Sequence, residues 1–272
     1  MYESFYDLKE KPFSIQPDPE FLFFSKRHSM AYAMLEYGIY NRAGFSVICG
    51  EIGCGKTTIV RHLLNNLDIN VTVGIVYNTH QHIDDLLGWI MLAFNQPYEG
   101  KSQIGMFDAF QQFLIKNYAD DKRTILIIDE AQNLTIGALE SLRMLSNINA
   151  DKDQLLQIIL VGQPQLRDLL KKPELQQFNQ RVAVDFFIPP LAGFEVTKYI
   201  QHRLEIAGRI KPLFTVEAIK LIGEAAKGVP RSINILADTA LVYGFSAGSL
   251  FIDEAIVAEM LADKNEYGVF NS

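Results

Sequence analysis

The chain has 272 residues, a net charge of −7 and two cysteines, Cys49 and Cys54; this is enough to bury an α/β domain plus a smaller one, and too few cysteines for a disulfide framework. No apolar run approaches the eighteen or more residues of a membrane-spanning helix, and the opening Met1-Tyr2-Glu3-Ser4-Phe5-Tyr6-Asp7 lacks the basic-then-apolar order of a signal peptide. The chain is therefore expected to be cytoplasmic in character with no membrane insertion of its own, and its acidity argues against a broad nucleic-acid footprint while leaving a local basic patch open.

Residues 11–20 are punctuated by Pro12, Pro17 and Pro19 and read as extended; Phe21-Leu22-Phe23-Phe24 then supplies an aromatic cluster that must lie on something. Ser25 is placed to cap a helix whose apolar positions are Met30, Met34, Leu35 and Ile39 and whose connection ends at Gly44. Residues 45–49 read as a buried strand. It runs into Gly50-Glu51-Ile52-Gly53-Cys54-Gly55-Lys56-Thr57, the spacing of a phosphate-binding P-loop, and Thr58 opens the helix that leaves it. The glycines let backbone N–H groups face an anion, with the positive end of the helix behind them. In that reading Lys56 reaches the terminal phosphates of a nucleotide and the Thr57 hydroxyl holds Mg2+. The bland alternative is a glycine-rich turn that precedes a lysine. Cys54 reads either as a thiol sensitive to oxidation or as a small tolerated loop residue.

A second strand, residues 71–77, ends at Asn78. Ile83, Leu86, Leu87, Ile90, Met91 and Phe94 mark one amphipathic helix, and Phe107, Phe110, Phe113 and Leu114 another, with the aromatics expected in the core rather than on a ligand. Ile125-Leu126-Ile127-Ile128 is a short apolar run that ends in two adjacent carboxylates, Asp129-Glu130. Standing alone it would read as a buried strand followed by a solvated acidic turn; with the P-loop upstream it reads as the second half of a nucleotide site. Asp129 at a strand's carboxyl edge can hold magnesium through water, and Glu130 is placed to polarise the attacking water. Leu139, Leu142 and Leu145 mark the next helix, and a strand at 155–161 delivers Gln163 to the same edge as Asp129. Gln163 reads equally as a contact to the γ-phosphate or attacking water and as a turn residue before Pro164. Gln180-Arg181 precedes a strand at 182–188, Pro189-Pro190 breaks the chain, and helices follow at 196–207, 216–226 and 232–243. Alternating helices and strands predict a largely parallel sheet.

These residues carry a resemblance to the AAA+ ATPases of the ExeA, or general secretion pathway protein A, family, and to the shorter MshM proteins of type IV pilus biogenesis. It runs nearly end to end: residues 5–14 with Pro17-Asp18-Pro19, the P-loop, Asp129-Glu130-Ala131-Gln132-Asn133-Leu134, Leu142-Arg143-Met144-Leu145-Ser146-Asn147, Val161-Gly162-Gln163-Pro164, Gln180-Arg181, Tyr199-Ile200-Gln201-His202-Arg203-Leu204 and Gly228-Val229-Pro230-Arg231. The resemblance implies that Asn78 restrains Glu130, that Gln163 is the sensor 1 residue, that Arg231 is sensor 2 on the helical lid, and that Arg181 is an arginine finger serving a neighbouring subunit, with Arg143 in reserve. It implies that residues 13–17 lie beside the adenine, a domain strap being the alternative. The expected fold is thus an AAA+ P-loop α/β protein: a doubly wound parallel sheet domain with its N-terminal strap at 1–190, and a small C-terminal α-helical lid at 191–272. The implied activity is Mg-dependent ATP hydrolysis by a homo-oligomeric ring or arc, hexameric by kinship, that organises an envelope secretion or pilus system, reaching the inner membrane only through a partner. Longer family members continue into a membrane span and a periplasmic domain, so the chain reads either as a short member or as a piece ending before that span. The rival reading is a DNA-associated regulator resembling transposition target-selection ATPases.

Overall fold

The computed structural model describes residues 1–16, 18–67, 70–77, 85–150 and 153–267. Contacts divide the chain into a sheet unit, Ser29–Glu51 with Ile59–Ile188, and a helical unit, Met1–His28 with Ile52–Thr58 and the residues from Pro189 on.

In the sheet unit, β1 (Phe45–Gly50), β2 (Val71–Val76), β3 (Arg123–Ile128), β4 (Leu156–Gly162) and β5 (Val182–Ile188) form a parallel sheet in the order β2-β3-β4-β1-β5. The inner strands β1, β3 and β4 are buried almost throughout, while the edge strands β2 and β5 are only partly covered. That is why the inner three read as largely apolar runs, Ser46, Thr124 and Gln157 being their buried polar exceptions: a parallel sheet is covered on both faces. One face, with Phe45, Val47, Leu126, Ile128, Ile158 and Leu160, shares a core with helices that precede and follow β3 and β4: α3 (Leu86–Ala93), α4 (Gln103–Ala119), α5 (Ile136–Leu145), α6 (Pro164–Leu170) and α7 (Gln176–Asn179). Phe110 and Leu114 are fully buried there, as their spacing predicts.

The opposite face meets α1 (Lys26–Tyr40), which precedes the P-loop helix α2 (Lys56–Asn65) in the chain. Gln157, a buried polar residue near the start of β4, donates to the carbonyls of Gly38 and Ile39 at 3.2 and 3.1 Å. These carbonyls also accept the Ala43 and Arg42 N–H groups at 2.9 and 3.1 Å, and their second lone pairs give the buried amide nitrogen of Gln157 its partners. The buried row of α1 is Ala31, Leu35 and Ile39; Met30 is 49% exposed and Met34 only partly buried, so the expected Met30–Met34 stripe is corrected by one position. Ser25 does cap this helix, its Oγ accepting from the His28 N–H at 3.3 Å. Asp85, Ser102 and Thr135 cap α3, α4 and α5 in the same way.

The helical unit contains α8 (Gly193–Ile206), α9 (Val216–Ala225), α10 (Pro230–Ser246) and α11 (Glu254–Tyr267). The last was not anticipated, because Val257 and Met260 are the only buried residues it contributes and they leave a faint periodic signal. Tyr2, Tyr6, Phe13 and Phe21 belong to this unit's core with Tyr199, Leu204, Phe214, Ile233 and Leu241. The N-terminal segment, grouped by sequence with the sheet, thus makes its contacts among the helices: Phe13 stands edge-on to Phe214 with ring centroids 5.9 Å apart, and Phe23 to Tyr199 at 5.7 Å. Its backbone is held by Arg203, buried at 6% exposure, whose guanidinium donates to the carbonyl of Pro12, to Ser14 O at 3.4 Å and to Tyr199 Oη at 3.1 Å, with the Phe21 ring 4.7 Å away. Asn234 completes the node, accepting from Tyr199 Oη at 2.8 Å and donating to Ser14 O at 3.3 Å. An extended, proline-punctuated segment cannot pair its own carbonyls, so a buried cation with five fixed donors supplies the partners. Among the described residues no helix is long and apolar enough to cross a membrane.

Candidate functional site

The parallel register brings three chain segments to one edge of the sheet. Cys49 lies opposite Gly162 and Ile128 opposite Leu160, so β1, β3 and β4 run out together. The P-loop leaves from β1, Asp129-Glu130 from β3 and Gln163 from β4. This is the carboxyl edge at which open α/β sheets bind ligands.

Within the helical unit's part of the P-loop, Gly53 and Gly55 have φ of +81° and +85°. A Cβ at Gly53 would fall 2.5 Å from Arg231 Cβ, so glycine is required there by backbone conformation and by space. Arg231, in the first turn of α10 after Pro230, also donates its backbone N–H to Gly53 O at 3.3 Å. The proposed sensor 2 arginine is thereby seated on the tip of the loop. Behind the loop, His28 is buried, its Nε2 bonded to Cys54 O at 2.9 Å and its Nδ1 to Ser25 Oγ at 2.7 Å. A carbonyl can only accept, so Nε2 carries the proton and Nδ1 accepts from the serine hydroxyl. Burial holds the imidazole below its ordinary pKa, against the opposing pull of the Cys54 carbonyl and Glu195. Sequence reading missed His28; only its place three residues after a capping serine hinted at a role. Lys56 and Cys54 are buried, and Gly50, Glu51, Ile52, Thr57 and Thr58 complete the segment.

In the sheet unit, the Asp129 N–H donates to Val76 O at 3.0 Å and Asp129 Oδ1 accepts from the Glu130 N–H at 3.0 Å. Glu130 is left-handed, φ 54° and ψ 39°, an uncommon conformation for a residue with a Cβ. Its Oε2 accepts from Gln163 Nε2 at 2.9 Å and from Gln132 Nε2 at 2.6 Å, and Gln132 Oε1 accepts from the Gln163 N–H at 3.0 Å. Gln163 therefore touches Glu130 through its side chain. Gln132 was given no role by sequence, since neither its separation of 2 residues from Glu130 nor that of 31 from Gln163 forms a pattern. Asn78 lies outside the described residues.

Arg181 is elsewhere. It immediately precedes β5, whose Val182 pairs with Phe45 while Ile188 pairs with Gly50, so the arginine stands at the amino edge of the sheet, roughly 20 Å along the strands from the P-loop end of β1. Its Nη1 donates to Ser146 Oγ at 3.2 Å, and the reserve residue Arg143 pairs with Glu140 at 2.8 Å.

The loop's glycine conformations and its chemistry fit a phosphate chain. Comparison with known proteins agrees. A family model described as an AAA domain matches residues 39–170. General secretion pathway protein A of Aeromonas hydrophila is 39% identical over 250 residues, 92% of this chain; the chain spans 46% of that protein's length. Among solved structures, the Aeropyrum pernix ORC1 protein in complex with DNA superposes with a TM-score of 0.66 at 16% identity, covering 93% of this chain and 69% of that one. The Thermotoga maritima RuvB Holliday junction branch migration motor does so with a TM-score of 0.54 at 15% identity, covering 96% and 76%. At such identities the structural likeness is one of fold. Sheet order, P-loop, acidic strand end and nearly end-to-end sequence match together place the chain among the AAA+ ATPases, as a relative of general secretion pathway protein A.

Proposed function

We propose that the chain is a Mg-dependent ATP hydrolase that assembles with nucleotide and organises a bacterial secretion or type IV pilus envelope system. The observation that supports this most is the convergence of the P-loop strand, the Asp129-Glu130 turn and Gln163 on one sheet edge, with Glu130 Oε2 held by two amides. In this reading the amides of Gly53, Cys54 and Gly55 and the Lys56 ammonium bind the phosphates, and Thr57 and Asp129 hold the metal. Bound magnesium would neutralise charge on the transferring phosphoryl group. Glu130 accepts the proton of the attacking water, Gln163 orients that water or the γ-phosphate, and Arg231 reads the γ-phosphate from its seat beside Gly53. In the same reading, by kinship, Asn78 restrains Glu130. Arg181, at the far edge of its own sheet, serves a neighbour's site in a ring or arc, which makes hydrolysis depend on assembly. The pathway served, and any approach to the inner membrane through a partner, rest on kinship with general secretion pathway protein A.

The roles separate under mutation. Lys56→Ala abolishes tight ATP binding, whereas Glu130→Gln keeps binding and loses most turnover, because an amide cannot take the proton. Measured by nucleotide binding and phosphate release, wild-type turnover in the Gln variant would remove Glu130 from the chemistry.

A further inference from the structure

We infer that Gln132 is the positioning residue for Glu130, fixing the carboxylate to the end of β4; the inference rests on the reading of Glu130 as the group that activates water. The orientation of the Gln132 amide follows from its partners. The Gln163 backbone N–H can only donate, so the atom facing it at 3.0 Å is Oε1, and the atom 2.6 Å from the Glu130 carboxylate is Nε2. Gln163 Nε2 reaches the same carboxylate oxygen at 2.9 Å. The result is a closed ring of contacts: Glu130 to Gln132, Gln132 to the Gln163 backbone, and the Gln163 side chain back to Glu130.

The element bearing Gln132 is suited to such a role. The single 3-10 turn Ala131–Asn133 is pinned by Ala131 and Leu134, both in the sheet unit's core. Glu130 itself gains nothing from its left-handed backbone, which for a non-glycine residue is a local strain of about 1 kcal/mol that surrounding contacts must offset. Amide donors to an ionised acceptor are strong bonds, and two on one oxygen leave the carboxylate little freedom to rotate. Glu130 and the start of the segment after β4 consequently move as one body. Gln132 acts through Glu130 and carries no chemistry itself.

The test compares Gln132→Met, similar in size but without a donor, with Glu130→Gln and the double variant, all in nucleotide-assembled protein with melting temperatures measured alongside. Misplacing a catalytic group by about 1 Å can cost on the order of 100-fold, so Gln132→Met should lower kcat about 10- to 100-fold, with KM and the dissociation constant for ATP within about twofold of wild type. The double variant should turn over no more slowly than Glu130→Gln alone, because the positioning residue has nothing left to position. Gln132→Glu, which keeps the acceptor for the Gln163 N–H but sets a like charge against Glu130, should lose at least as much and serves if the Met variant folds poorly. Wild-type or faster turnover in Gln132→Met beside an inactive Glu130→Gln, or further loss in the double variant, overturns the positioning role. An active Glu130→Gln overturns the base assignment instead.

Discussion

In the sheet unit the polar network of Glu130, Gln132 and Gln163 lies half-buried where the inner strands run out. In the helical unit Arg203, Tyr199 and Asn234 are buried among apolar side chains and grip the backbone of Pro12 and Ser14. Both networks satisfy polar groups that the fold brings out of water. Their placement sets different consequences: changes at the sheet edge should cost turnover with little stability, and changes inside the helical unit should cost stability first.

The largest effect tests whether the sheet unit's chemistry extends to a second copy. An arginine finger contributes about 10³ to 10⁵ in rate, so Arg181→Ala should depress turnover by at least that lower figure while ATP affinity stays near wild type. Mixed with Lys56→Ala subunits, each nearly inactive alone, it should regain activity wherever an intact finger meets an intact P-loop. No recovery in mixtures proven to co-assemble would rule out action in trans.

Next in size, Arg203→Met leaves the carbonyls of Pro12 and Ser14 without their buried donor and should destabilise the protein by about 3 kcal/mol, read as a lower urea midpoint. A large loss of kcat without a stability change there would erase the contrast between the two networks. Helix caps supply a calibration common to both units. Thr135 Oγ1 accepts from the Ala138 N–H at 3.1 Å and Thr215 Oγ1 from the Ala218 N–H at 3.2 Å, and replacing either with Ala should cost about 1 kcal/mol. An unchanged urea midpoint in either variant would remove that threonine from the capping of its helix.

The smallest effect is one of pH. Burial holds the His28 imidazole below its ordinary value of 6.5, so as pH falls through that value the unfolded chain takes up the proton first and the folded state loses stability; above it the contribution is fully present. Melting temperature should therefore decline more steeply below about pH 6.5 in wild type than in His28→Gln, whose amide can still donate to the Cys54 carbonyl. Parallel slopes for the two proteins would take His28 out of the linkage.

Much of this molecule is determined by local sequence. Glycines at Gly53 and Gly55 followed by Lys56-Thr57 specify a phosphate loop because only certain backbone conformations direct N–H groups at an anion, and the apolar runs of β1, β3 and β4 announce a sheet covered on both faces. Phe110 and Leu114 are legible as core because the helical period is a property of neighbours in the chain. What tertiary structure alone decided are pairings between distant residues: Gln132 with Gln163, His28 with Cys54, Arg203 with Pro12, and the docking of Tyr6 and Phe13 among helices that begin about 180 residues further along the chain. The register of β5 against β1, which sets Arg181 at the edge opposite the P-loop, belongs to the same class. Such contacts arise from which surfaces meet once the chain is compact, and a polar side chain carries no mark of the partner that will satisfy it until that packing exists.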